Sequence, residues 1–201
     1  MNHKPVIGIV GGIGAGKSTV SQALVKLGGC LIDADQIGHA ALRDAENLQK
    51  IIEAFGPKIL KEDGSVDRRK LGSIVFKDPL EREKLESIVI PWISDEIRLR
   101  MKDFSANPVC QMVILDAAIM LETGWNGVCD KILFVEASLS TREKRVKARG
   151  WSAEDLRDRE SSQLPLEVKK ARADAVLAND PDSPEISTQL VSLLKNWGWR
   201  R

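Results

Sequence analysis

The chain has 201 residues, 43% of them apolar, which is the size of one ordinary domain with enough apolar material for a substantial core. Its 30 basic and 29 acidic residues give a formal net charge of +1, which excludes a global field recruiting nucleic acid or an anionic membrane. Three widely spaced cysteines, Cys30, Cys110 and Cys129, have no C-x-x-C spacing; they argue against a zinc site or a disulfide framework and read as reduced thiols of a cytoplasmic protein.

The apolar stretch Val6-Ile7-Gly8-Ile9-Val10 predicts a first strand with no leader or membrane anchor before it, and it runs directly into Gly11-Gly12-Ile13-Gly14-Ala15-Gly16-Lys17-Ser18-Thr19. That spacing is Gly-x-x-x-x-Gly-Lys-Ser/Thr, a phosphate-binding P-loop. Its glycines let successive backbone N–H groups turn inward around phosphate oxygens, so Gly12, Ile13, Gly14, Ala15, Gly16, Lys17, Ser18 and Thr19 form the expected cradle for a nucleoside triphosphate. Lys17 reaches the β- and γ-phosphates, Ser18 ligates Mg²⁺, and an amphipathic helix over 20–27 adds its positive end.

A second strand, Cys30-Leu31-Ile32, ends at Asp33. In a doubly wound sheet the carboxyl ends of strands line the ligand crevice, so Asp33 is the candidate general base for an acceptor hydroxyl. Asp35 either supports it on the acceptor side, touches Mg²⁺, or caps a helix starting near Gln36. Residues 36–108 are rich in charges and in helix-period apolar positions such as Leu48, Ile51, Ile52 and Phe55, with turns at Gly56-Pro57 and Asp63-Gly64, and they read as an inserted helical subdomain. His39 and His3 have no third ligand at metal spacing. The tryptophans Trp92, Trp125, Trp151, Trp197 and Trp199 read as packing residues, with Trp92 and Trp125 the two that a substrate cleft would use.

The run Met112-Val113-Ile114-Leu115 ends at Asp116 in the pattern of a Walker B carboxylate, a second candidate for Mg²⁺ beside Ser18. A fourth strand over 131–135 leads into Glu136-Ala137-Ser138, which is no guanine-reading N-K-x-D. A charged stretch over 141–172 follows, containing Arg142, Arg145, Arg149, Arg157 and Arg159. Spacings of three and four put Arg142, Arg145 and Arg149 on one helical face, either a basic stripe over the phosphates in a lid or a solvated face balanced by Glu143. A fifth strand over 174–178 and a last helix over 184–197 complete an α/β P-loop fold, a parallel five-stranded sheet covered by helices on both faces.

Three functions share a P-loop: a small-molecule kinase, a GTPase-type switch and an ATP-gated binding protein. Asp35-Gln36-Ile37-Gly38 fits the D-x-x-G of a GTPase by letter, but no guanine reader accompanies it. The early Asp33, the helical insertion and the arginine-rich stretch suit a kinase, which must keep water from competing with its acceptor hydroxyl.

The P-loop followed by Asp33-Ala34-Asp35 resembles the dephospho-CoA kinase family. The resemblance continues in order through Phe55-Gly56, Asp63-Gly64-Ser65-Val66-Asp67-Arg68-Arg69-Lys70-Leu71-Gly72, Val75-Phe76, Leu85-Glu86, Leu121-Glu122-Thr123-Gly124, Arg145, Gln163, Ala173-Asp174 and Asn179. It implies that Mg-ATP phosphorylates the ribose 3′-hydroxyl of dephospho-CoA, the last step of coenzyme A synthesis, with small molecules rather than nucleic acid or membrane as partners. It also implies a single domain over 1–201, with an acceptor-binding insertion near 36–108 and a lid near 141–172. By position the catalytic candidates are Asp33, Lys17 and Arg145; Arg68 joins Asp33 and Asp35 on the acceptor side, and Arg145 and Arg149 contact ATP phosphates from the lid. Ile90-Pro91 stands where the family has His-Pro, and Ala118-Ile119-Met120-Leu121-Glu122 where it has Pro-Leu-Leu-Phe-Glu. Both departures fall on the acceptor side, and another P-loop nucleoside or nucleotide kinase is the alternative.

Overall fold

A computed structural model describes residues 4–199; His3 lies outside them. The first strand, β1 (Val6–Gly11), is buried along its whole length. Such a strand reads as continuous apolar sequence because both faces of a parallel sheet are covered. The loop after β1 opens α1 (Lys17–Lys26), which leads to β2 (Gly29–Asp33). The helices α2 (Ala34–Ala41), α3 (Ala45–Phe55), α4 (Arg68–Val75) and α5 (Pro79–Ala106) follow. After them come β3 (Met112–Asp116), β4 (Lys131–Glu136), α6 (Leu139–Lys147), α7 (Ala153–Ser161), α8 (Leu166–Ala171), β5 (Ala175–Ala178) and α9 (Ile186–Asn196).

The five strands form one parallel sheet in the order β2-β3-β1-β4-β5. Alternation within the strands still sorts their side chains. Ile7 and Ile9 of β1, Met112 and Ile114 of β3, Leu133 and Val135 of β4 and Leu177 of β5 join one core with Val20 and Leu24 of α1 and Leu190 and Leu194 of α9. Gly8 points to the other face, where a Cβ would lie 2.6 Å from the Met120 sulfur and 2.8 Å from that of Cys129. Cys30 and Cys110 are joined in a disulfide with their Cα atoms 5.7 Å apart. This corrects the reading of both as reduced thiols: a separation of 80 residues in sequence is erased where β2 pairs with β3. Cys129 remains a thiol; burial, and then the neighbouring Asp130 charge, push it up to about 12, so it stays protonated and inert at neutral pH.

The chain divides into two compact units, one of residues 1–33 with 101–201 and one of residues 34–100. The second is helical. Asp44 caps α3 by accepting from the Asn47 N–H, and Asp67 caps α4 by accepting from the N–H groups of Arg69 and Lys70. Its buried positions include Ile37, Ile51, Phe55, Ile59, Val66, Leu71, Val89 and Ile93. Pro91 sits inside α5, which continues through it. The helix α2 begins at Ala34 rather than near Gln36, so Asp35 stands within its first turn and not at its cap.

Candidate active site

At the carboxyl end of β1 the backbone turns through Gly14 at φ 78° and Gly16 at φ 93°, both left-handed conformations that a side chain would strain. A Cβ on Gly16 would also overlap the Asn179 amide. Gly16 caps α1, so the N–H groups of Lys17 and Ser18 open a helix and have no earlier turn to bond. The loop's carbonyls are held from outside. Lys17 Nζ donates to Gly11 O at 3.0 Å and Gly12 O at 3.2 Å. Arg145 Nη1 donates to Gly14 O at 3.2 Å and Ala15 O at 2.9 Å, while its Nη2 donates to Asn179 O at 2.7 Å. The Asn179 amide donates to Ala15 O at 2.7 Å. These contacts hold the loop's carbonyls, while the Ala15 N–H closes a turn on Gly12 O at 3.1 Å.

Two carboxylates end strands of the same sheet. Asp116 is the register partner of Ile9 on β1, and Asp33 is the register partner of Asp116. Partners across a parallel ladder share a face and lie one strand spacing apart, about 4.8 Å. Asp116 continues the Met112–Ile114 alternation toward α1, and there its Oδ2 accepts from Ser21 Oγ at 2.6 Å. Ser21 is fully buried and sits one helical turn after Lys17, a spacing that could have marked it in the sequence. Ser18 and Thr19 are exposed at the start of α1. Asp35 and Arg68 lie in the helical unit, each exposed in the first turn of its helix, α2 and α4.

The arginine stripe is not what helical spacing predicts. The helix α6 ends at Lys147, and Arg149 is an exposed residue of the following turn, before Gly150 at φ 81°. Arg145 is half-buried on the P-loop carbonyls, and Arg142 is buried outright at 6% exposure. An Arg142 Nη1 donates to Glu160 Oε1 of α7, and the same Glu160 oxygen accepts the Ile13 N–H at 3.2 Å. No local spacing links Glu160 to the loop, 147 residues away. Arg159 lies over the Trp151 ring at 4.0 Å, a cation–π contact, and Trp125 is buried in the first unit as a packing residue.

The segment after β3 is tied down by a buried cation. Lys169, with no exposed surface, donates to Ala118 O at 2.7 Å and Gln163 Oε1 at 3.0 Å and pairs with Glu122 at 2.9 Å. Glu122 also accepts the Leu164 N–H at 2.8 Å. A buried ammonium is tolerated only when its donors are met in this way.

Among the described residues no three His, Cys, Asp or Glu side chains gather as a metal cage, and no helix is long and apolar enough to cross a membrane. A family model described as dephospho-CoA kinase matches residues 5–185. The dephospho-CoA kinase of Bacillus cereus is 41% identical over 194 residues, covering 96% of this chain and 96% of that one. Among solved structures, TT1252 from Thermus thermophilus superposes with a TM-score of 0.81 at 35% identity, over 97% of this chain and 98% of its own. The dephospho-CoA kinase from Campylobacter jejuni superposes with a TM-score of 0.68 at 27% identity, over 96% of each chain.

Proposed function

This chain belongs to the dephospho-CoA kinase family, and on that premise we propose that it transfers the γ-phosphoryl group of ATP to the ribose 3′-hydroxyl of dephospho-CoA, giving coenzyme A and ADP. The observation that carries the reading is the register pair Asp33 and Asp116 at the ends of β2 and β3, with Asp116 on the strand beside the one that feeds the P-loop and Asp33 one strand further out. A switch needs only the carboxylate that serves the nucleotide; a kinase needs a second to take the acceptor's proton.

In this reading Asp33 accepts the hydroxyl proton as the new O–P bond forms and the bond from the γ-phosphorus to the bridging oxygen breaks. Lys17 spans the β- and γ-phosphates, and Arg145 supports the loop and neutralises charge at its rim; the Lys17 and Arg145 contacts to the loop carbonyls support both roles. Arg149 meets the phosphates from the exposed turn after α6. Ser18 and Asp116 would hold Mg²⁺, which would supply positive charge to offset that of the triphosphate. Two hard oxygen donors suit an ion that takes most of its shell from water and phosphate. The chain acts as one domain, residues 36–108 taking the acceptor with Asp35 and Arg68 and residues 141–172 closing as a lid, and the reaction takes place in the cytoplasm.

The test is to offer Mg-ATP with dephospho-CoA, adenosine, AMP or shikimate separately, following ADP release and product mass. ADP release that depends on dephospho-CoA is the expected result. Turnover with one of the other acceptors alone, or acceptor-independent hydrolysis that prefers GTP, would overturn the assignment.

A further inference from the structure

Arg142 and Glu160 are each in an unusual place. Arg142 is a guanidinium at 6% exposure whose Nη1 bonds Glu160, while its buried Nε finds no acceptor among the described residues. A guanidinium presents five donors in a fixed fork suited to two-point binding of a phosphate or carboxylate. Buried donors are met as a rule, and one left over points to an acceptor that arrives from outside.

Glu160 is a carboxylate set against an anion-binding loop. Its Oε1 takes the Ile13 N–H at 3.2 Å, and a Cβ built on Gly12 would find that oxygen at 3.2 Å and Arg142 Nη1 at 3.0 Å. The pair therefore lies directly on the first turn of the P-loop. An oxygen with negative charge, held by one loop N–H and one guanidinium, repeats the chemistry that the loop offers a phosphate oxygen.

We propose that Glu160 stands in for a nucleotide phosphate oxygen at the rim of the P-loop, and that Arg142 is a further phosphate-binding residue which passes from Glu160 to the incoming triphosphate. The proposal rests on the functional reading only in taking a nucleoside triphosphate as the ligand; the acceptor plays no part. One N–H does not serve two anions at full strength, so a phosphate oxygen that takes the Ile13 N–H displaces the carboxylate from the loop. The share of molecules with Glu160 in place lowers the apparent affinity in proportion.

The test is calorimetric titration with Mg-ADP and with a Mg-bound non-hydrolysable ATP analogue, without acceptor. Glu160→Gln keeps the volume and removes the charge, and it is expected to tighten the ATP analogue by about three- to thirtyfold, with the KM for ATP falling in parallel. Glu160→Leu carries the same expectation and serves if Glu160→Gln does not fold. An affinity unchanged or weakened in a variant that melts like the wild type would overturn the proposal, because a simple strut between α6 and α7 has no reason to release the nucleotide site when cut. Arg142→Gln in the Glu160→Gln background separates the two roles of the arginine. A loss of about tenfold or more in affinity for the ATP analogue is expected if Arg142 moves to phosphate; no loss would show that it serves Glu160 alone and would overturn the transfer. A wild type that binds no ATP would overturn both this proposal and the functional one. ATP binding without turnover on dephospho-CoA would overturn only the functional one.

Discussion

Asp33 ends β2 as the register partner of Asp116, two strands from the P-loop strand in the order β2-β3-β1. As general base it should leave ATP binding to the loop. Asp33→Asn is therefore expected to retain nucleotide affinity while lowering the rate by about 10²–10⁴-fold, measured as Kd by titration and kcat by coupled ADP release. Lost affinity with an unchanged kcat would move Asp33 to the nucleotide side. Lys17, Ser18 and Asp33 were legible in the sequence because each is fixed by local spacing or by a strand end. Arg142 was legible only as a member of a stripe. Its burial, and the role of Glu160, come from a contact between α6, α7 and the loop that has no sequence period.

At the scale of elements, α6 matters most because it carries both Arg142 and Arg145. Its start is fixed from outside the helix. Ser138 caps it by accepting the Thr141 N–H, and Asp180, after β5, accepts the Ser138 N–H at 3.0 Å and the Ser138 hydroxyl at 2.7 Å. Ser138→Ala is expected to cost about 1 kcal/mol in urea unfolding, the usual worth of a helix cap. Hydrogen bonds from the Thr141 and Ser138 side chains hold the Asp180 carboxyl below its ordinary range. A depressed folded pKa gives stability that is complete above the unfolded value, near about 3.9, and is lost as pH falls through the folded one. The urea midpoint of the wild type should thus exceed that of Asp180→Asn at pH 6, and the gap should close on titration below about pH 4. The strands and the first and last helices lie within a few residues of their expected bounds, since apolar runs and glycines mark them. Helical spacing puts Arg149 on the face of Arg142 and Arg145, but α6 ends at Lys147 and Arg149 falls in the turn that leads to Gly150.

For the whole molecule, stability and site share one face of the sheet. Ile114, with no exposed surface, precedes Asp116 by two residues in the alternation that packs against Val20 and Leu24 of α1. Ile114→Ala is expected to lose about 2–5 kcal/mol in urea unfolding with an unchanged m value, through lost burial and the cavity left behind. The same cavity lies beneath α1, whose first turn holds Lys17 and Ser18, so nucleotide affinity should fall in the folded variant as well.

By itself the sequence determined the strand–loop–helix at residues 6–26, the five apolar strands and the carboxylates that end two of them, because period, glycine placement and strand ends are local properties of a chain. Only the tertiary structure decided that Cys30 meets Cys110, that Lys169 closes on Ala118 and Glu122, and that Glu160 stands on the Ile13 N–H. Each of those contacts depends on which strand lies beside which and on where helices distant in sequence come to rest. Packing fixes both, and no spacing along the chain records either.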